Sequence, residues 1–234
     1  YSEEALNQLW IEFIKYRIIY DFEYWAYSFI FIKDKVSPKD IPFKLNRAQR
    51  RVLNKLEKLR KAGKPIKFIL LKARQWGGST LVQIYMLWIM LVHRRNWNTV
   101  ICGDVETQSR NVRAMITKAL NKYPSYLLGE TVKFTPFEGS SKNKVIQNTN
   151  CVVSIGSFQK PDTLRSGDIS GAHLTEIGLW RATPGKKPED LIQSISGSIY
   201  DTAYTILGLE STAKGVGNFF HRTWQQAVKG KNNL

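Results

Sequence analysis

The stretch Phe68-Ile-Leu-Leu-Lys-Ala-Arg-Gln-Trp-Gly-Gly-Ser-Thr80 decides how this chain is read. Residues 67–71 form a short apolar run and predict a buried strand. Residues 72–78 form a polar, glycine-bearing loop, and Ser79 opens a long apolar helix that ends near His93. A strand, a glycine loop and a helix N-terminus in that order can hold a chain of phosphates. Successive loop amides make a nest for an anion, and the first helical turn adds unpaired N–H groups and the positive end of its dipole. Gly77 and Gly78 let the backbone approach closely, and the hydroxyl at Ser79 or Thr80 can ligate a magnesium ion carried by the phosphates. Against the usual pattern G-x-x-x-x-G-K-[ST], Lys72 stands at the first glycine and Gly78 at the lysine. Lys72 and Arg74 are then the only basic side chains of the loop, and the β- and γ-phosphates still need a cation to offset charge growing in the transition state. Taken alone, the loop also fits an ordinary strand-to-helix turn.

Outward from the loop, strands and helices alternate. The pattern predicts a helix over 47–62, capped by Asn46 and closed by Gly63. It predicts a strand at 99–102, an amphipathic helix at 106–120, and a hairpin from 144–147 and 151–155 around Asn148-Thr149-Asn150. A strand at 172–175, a helix at 188–196, a strand at 204–208 and a closing helix at 218–228 follow. Such alternation predicts an α/β fold with a mostly parallel central sheet flanked by helices. Residues 3–32, rich in aromatics, predict a small N-terminal helical segment with an aromatic core face, and 33–42, with two prolines, reads as a linker. The expected division is 1–40 for the N-terminal segment and linker and 41–234 for the main domain.

With 234 residues, 43% of them hydrophobic, the chain can bury a sizeable core. It begins at Tyr1 rather than Met and so reads as a piece of a longer protein. Lys and Arg total 35 against 19 Asp and Glu, a formal charge of +16, and the excess is clustered: residues 46–74 hold eleven Lys or Arg and one acid, Glu57. That field favours a polyanionic partner, nucleic acid first. Cys102 and Cys151 lie in apolar runs, offer neither a disulfide framework nor zinc-ligand spacing, and read as buried free thiols suited to a reducing compartment. The apolar run 81–92 is too short to span a bilayer, and Glu3, Glu4 and Glu12 break any signal-peptide pattern.

Four further motifs accompany the loop. Gly171-Ala-His-Leu-Thr-Glu-Ile-Gly-Leu-Trp180 is an apolar strand ending in an acid, as in a Walker B element, where Glu176 would orient or deprotonate an attacking water. Pro161-Asp-Thr-Leu-Arg-Ser-Gly167 puts Arg165 in a polar loop able to reach a nucleotide or a DNA phosphate. In Pro42-Phe-Lys-Leu-Asn-Arg-Ala-Gln49, the Gln49 amide offers the donor and acceptor that an adenine edge needs. Thr205-Ile-Leu-Gly-Leu-Glu-Ser-Thr-Ala-Lys-Gly215 is a strand ending in the hydroxyl pair Ser211 and Thr212.

In their order along the chain these motifs resemble the ATPase domain of the large terminase subunit of tailed phages, over roughly residues 43–228. The run from Lys72 to Thr80 is similar to the variant phosphate loop of one terminase branch, with Lys and Arg early and the late Lys missing. The resemblance implies a P-loop NTPase fold, ATP and Mg2+ as ligands, and hydrolysis driving double-stranded DNA into a procapsid. It implies nucleotide contacts from Gln49, Arg74, Gln75, Trp76, Gly77, Gly78, Ser79 and Thr80, with Lys72, Arg74, Arg165 and Glu176 catalytic. It implies coupling of hydrolysis to movement through Ser211 and Thr212. The family carries Asp just before the Walker B Glu; Thr175 stands there, so the metal would rest on Ser79 and, more weakly, Thr175. Implied partners are a portal protein, a small terminase subunit and a homo-oligomeric ring, a pentamer, on the procapsid portal in the host cytoplasm, with no membrane. The family's nuclease domain, with its clustered carboxylates, has no counterpart in these residues. Two alternatives stand beside this reading: another helicase-like DNA translocase, or an ATPase-inactive DNA-binding module.

Overall fold

The computed structural model describes residues 2–34, 36–164 and 168–234. Helices α1 (Glu3–Tyr20) and α2 (Phe22–Phe29) lead into an antiparallel pair, β1 (Phe31–Lys33) and β2 (Asp40–Pro42). The segment expected as a linker therefore closes as a hairpin. Pro42 sits opposite Phe31 at the end of a strand, a place where a residue without an N–H is tolerated. Within residues 3–32 the aromatic core face lies on α2. Helix α1 buries Ile14 and Ile18 but exposes Trp10, Phe13 and Tyr16, whereas α2 buries Phe22, Trp25 and Phe29. Phe22 meets Tyr85 and Trp88 edge-on at centroid distances of 5.3 and 5.4 Å. The α1 stripe that touches the body is narrow, so its remaining aromatics face outward.

Helix α3 (Arg47–Lys61) starts at the expected capping box: the Asn46 carboxamide accepts from the Gln49 amide and the Gln49 side chain accepts from the Asn46 amide, each at 2.9 Å. It buries Leu53 and Leu56 and turns Arg47, Arg51, Lys55, Lys58 and Lys61 to solvent. Strand β3 (Ile66–Leu71) feeds α4 (Gly78–Trp88), whose end widens into one π-helical turn at Ile89–His93. Then come β4 (Thr99–Gly103), α5 (Glu106–Leu120), β5 (Phe134–Phe137), β6 (Ser140–Ile146), β7 (Cys151–Ser157), β8 (Gly171–Thr175), α6 (Pro188–Gly197), β9 (Ile206–Ser211) and α7 (Phe219–Val228).

Seven strands form one sheet in the order β3-β9-β8-β4-β7-β6-β5. The first five are mutually parallel, and β6 and β5 are appended antiparallel. Strand β5 escaped the sequence reading, and its Pro136 is accommodated because β5 is the sheet edge. Strand β9 begins two residues later than expected and runs on to Ser211. One layer of core lies around α4, wholly buried from Leu81 to Trp88, and a second gathers Leu174, Leu209, Trp180, Leu191 and Phe220. In parallel sheets, ligands bind beyond the carboxyl ends of the strands. Here the carboxyl ends of three neighbours, β3, β9 and β8, lie side by side, with Leu71 opposite Ser211 and Thr175 opposite Glu210.

Candidate active site

The loop leaving β3 is held from both sides. The Lys72 amide donates to the Ser211 carbonyl at 3.0 Å. On the other side, Asn46 Nδ2 donates to the Trp76 carbonyl at 3.0 Å and Gln49 Nε2 to the Gly77 carbonyl at 2.9 Å, so the capping box of α3 also anchors the loop. The backbone enters the left-handed region at Gln75 (φ 60°) and Gly77 (φ 85°). A Cβ on Gly77 would lie 2.7 Å from Gln49 Nε2, and one on Gly78 2.8 Å from the Trp76 ring; the two glycines are required by different neighbours. The first amides of α4 have no intrahelical partner and are open to an anion.

Gln49 is 4% exposed, and both ends of its amide are engaged, so reading a base would require it to exchange those bonds. It lines a cavity of about 660 Å3 together with Phe31, Phe43, Trp76, Thr80 and Met115, the size of a small-molecule site. Arg74 is exposed and has no hydrogen-bond or ion-pair partner among the described residues. Gln75 is exposed and Trp76 half-buried. Arg165 lies outside the described residues.

Lys72 turns inward instead. Its side chain is 9% exposed, and Nζ lies 2.9 Å from Ser79 Oγ and 3.3 Å from an oxygen of each of two acids, Glu176 and Glu210. Lys72 thus reaches the first turn of α4 from the start of the loop. Glu176 follows β8 in the left-handed region (φ 55°, ψ 38°), a conformation that costs a non-glycine residue about 1–3 kcal/mol and marks functional sites. Its second oxygen accepts from Thr212 Oγ1 at 3.2 Å. The Gly178 amide donates to Ser211 Oγ at 3.0 Å. The hydroxyl pair at the end of β9 therefore grips the turn that carries Glu176.

The sequence reading missed Glu210. It sits in β9, between the strand of the phosphate loop and the strand of Glu176, with its side chain 0% exposed. Its Oε1 accepts from the Ser79 hydroxyl and from Thr175 Oγ1 at 2.9 Å, and His173 Nε2 lies 2.9 Å away. Burial drives this carboxyl toward the protonated form, but His173, Lys72 and Ser79 outweigh it and hold its pKa at about 2. The available signal was a lone acid inside the apolar strand Ile206–Ser211, since Glu is almost never fully buried unless paired. As expected, Cys102 and Cys151 are buried free thiols, and among the described residues no helix is long and apolar enough to cross a membrane.

No family model and no curated protein matches the chain. Solved structures do. The HK97 bacteriophage large terminase matches with a TM-score of 0.70 at 21% identity, covering 93% of this chain and 42% of that one. The large terminase of a thermophilic bacteriophage, in complex with ATP-gamma-S, matches with a TM-score of 0.54 at 11% identity over 80% of this chain and 43% of that one. The N-terminal domain of the DNA packaging ATPase from bacteriophage phi29 gives 0.52 at 8% identity over 77% and 86%. The chain thus spans less than half the length of the first two of these proteins. It shares the fold of phage large terminases and DNA-packaging ATPases.

Proposed function

We propose that this chain is the ATP-hydrolysing motor domain of a phage large terminase, moving double-stranded DNA into a procapsid. The motor domain is assigned to 41–234, preceded by the N-terminal segment 1–40. The observation that carries the reading is the Lys72 ammonium, which joins the phosphate loop at Ser79 to the acid at Glu176 within 3.3 Å.

In this reading the adenosine occupies the cavity beside Phe43 and Trp76, and the phosphates lie on the amides at the start of α4. Lys72 and Arg74 offset the charge that grows on the transferred phosphoryl group. Glu176 orients the attacking water and takes its proton, while Thr212 fixes the carboxylate from behind. Arg165 is the candidate for a further charge on the transition state, from the same subunit or a neighbour.

The residues present fit a magnesium ion. Ser79 and Thr175 hydroxyls and the Glu210 carboxylate converge, an all-oxygen set suited to a hard cation. Ser79, Thr175 and Glu210 would hold such an ion, which would supply positive charge against the negative charge developing on the phosphates.

Loss of the γ-phosphate frees Lys72 and changes its contact with Glu176. Thr212 and Ser211 would carry that change into residues 213–217, the loop we assign to pushing DNA. The exposed basic face of α3 is the candidate phosphate track, with a steep salt dependence. Portal protein, small terminase subunit and a pentameric ring at the procapsid portal in the host cytoplasm complete the proposal. Glu176→Gln tests it. Steady phosphate release is expected to fall by about 10²–10⁴ while nucleotide still binds. A parent without release, or a variant as fast as the parent, would leave an ATPase-inactive module as the answer. Unwinding of forked DNA by the parent would favour a helicase-like translocase.

A further inference from the structure

We propose that Glu210 supplies the magnesium-side carboxylate of this site, taking over from the neighbouring strand the place that Thr175 leaves without an acid. The inference deepens the ATPase reading and rests on it.

Three observations meet at this residue. First, Thr175 and Glu210 are paired across β8 and β9, so their side chains share one face at one level of the sheet. A threonine at 175 is short and uncharged; a glutamate beside it is long enough to bring a charge into the same space. The Thr175 hydroxyl donates to Glu210 at 2.9 Å, so the two occupy that space together. Second, the hydroxyl of Ser79, in the first turn after the phosphate loop, donates to Glu210 Oε1. Serine and carboxylate are thereby preassembled as neighbours around one point. Third, Glu210 Oε2 is buried without a hydrogen-bond partner among the described residues. A carboxylate oxygen left unpaired in the interior is costly, and a bound cation and its water shell would satisfy it.

The charges agree. Among the described residues Lys72 alone stands between two carboxylates, within 3.3 Å of each and 2.9 Å from Ser79 Oγ. A monovalent ammonium thus occupies the gap between serine and acids, and it leaves that gap when it turns to the phosphates. Behind the carboxylate, His173 Nε2 lies 2.9 Å from Glu210 and its Nδ1 lies 2.5 Å from Gln83 Nε2. Glu210 thus has a polar neighbour that is itself held by Gln83, a support metal-binding carboxylates usually have.

The test measures affinity rather than turnover. Binding of mant-ADP is titrated with magnesium and with EDTA, in the parent, in Glu210→Gln and in the relocation variant Thr175→Asp/Glu210→Gln. The parent is expected to bind more tightly with magnesium. Glu210→Gln is expected to lose at least about tenfold of the magnesium enhancement, read as the ratio of affinities with and without metal, and the relocation variant to regain it. Glu210→Asp keeps the charge near Lys72 and His173 and withdraws it by one methylene; it too should lose magnesium enhancement. Full enhancement in both Glu210 variants overturns the inference while leaving the ATPase reading intact, as does an equal loss with and without metal. A parent that binds no mant-ADP under either condition takes down both.

Discussion

Lys72→Met removes one charge from the centre of the site and keeps the unbranched stem. In the parent, the ammonium lies 3.3 Å from an oxygen of Glu176 and of Glu210. At an effective dielectric of about 20, each contact is worth about 5 kcal/mol before desolvation. Removing one member of a buried ion pair costs about 3–5 kcal/mol net, because the partner charge stays buried. Glu176 is a quarter exposed and can rehydrate, and His173 remains beside Glu210, so the low end, about 3 kcal/mol, is expected. Urea unfolding followed by the fluorescence of the seven tryptophans measures it. Two controls sharpen the result. Adding Glu210→Gln to Lys72→Met should recover most of the loss, since the stranded charge is then gone. The deficit should also shrink in acid. Glu210 has its pKa depressed from 4.5 to about 2, so in the parent it contributes stability above pH 4.5 that is lost as pH falls through 2. Without Lys72 that pKa rises, and the variant has less to lose over the same range. A loss under about 1 kcal/mol, or a double variant less stable than Lys72→Met alone, would refute the role given to Lys72.

Gly77→Ala should cost about 2–4 kcal/mol, because φ is +85° and the new Cβ would lie 2.7 Å from Gln49 Nε2. Gly63→Ala, also at positive φ but with nothing near its Cβ, should cost only about 1–2 kcal/mol; equal losses in thermal unfolding would contradict the clash. Thr212→Val removes the hydroxyl 3.2 Å from Glu176, worth about 1.5–3 kcal/mol for a bond to a charged group. It should lower kcat for ATP roughly 10–100-fold with KM unchanged, and a change in KM alone would count against it. Burial first, then Arg60 and Arg94, depress the His93 pKa from 6.5 to about 4. Its neutral form therefore supports the fold fully above pH 6.5, and that contribution is lost as pH falls toward 4. Solvent screening limits it to about 1–2 kcal/mol. His93→Leu should flatten the stability profile over that range, and a parent-like slope would exclude His93 as the source.

The phosphate loop, its strand and α3 were legible because each depends on residues adjacent in sequence. An apolar run, a glycine pair, and Asn46 three residues before Gln49 act through local geometry. The hairpin β1–β2 was not, since strands of three residues, one of them ending in Pro42, are too short to carry a period. Nor was β5, four residues with a proline, stabilised solely as an edge. Glu176 could be read from its place at the end of an apolar strand. Glu210 could not be given its role in the same way. Its importance comes from the parallel register that sets it beside Thr175 and under Ser79, and long-range register leaves no mark in a single sequence beyond an acid where an apolar residue would be ordinary.

The ATPase reading stands or falls with one cradle, from Trp76 to Ser79, holding nucleotide phosphates against Glu176. A crystal structure with a non-hydrolysable ATP analogue and magnesium decides it. The γ-phosphate is expected between the loop amides and the Glu176 carboxylate, with Lys72 moved onto phosphate oxygens. A nucleotide bound elsewhere, or a Glu176 carboxylate remote from the γ-phosphate, would contradict that reading.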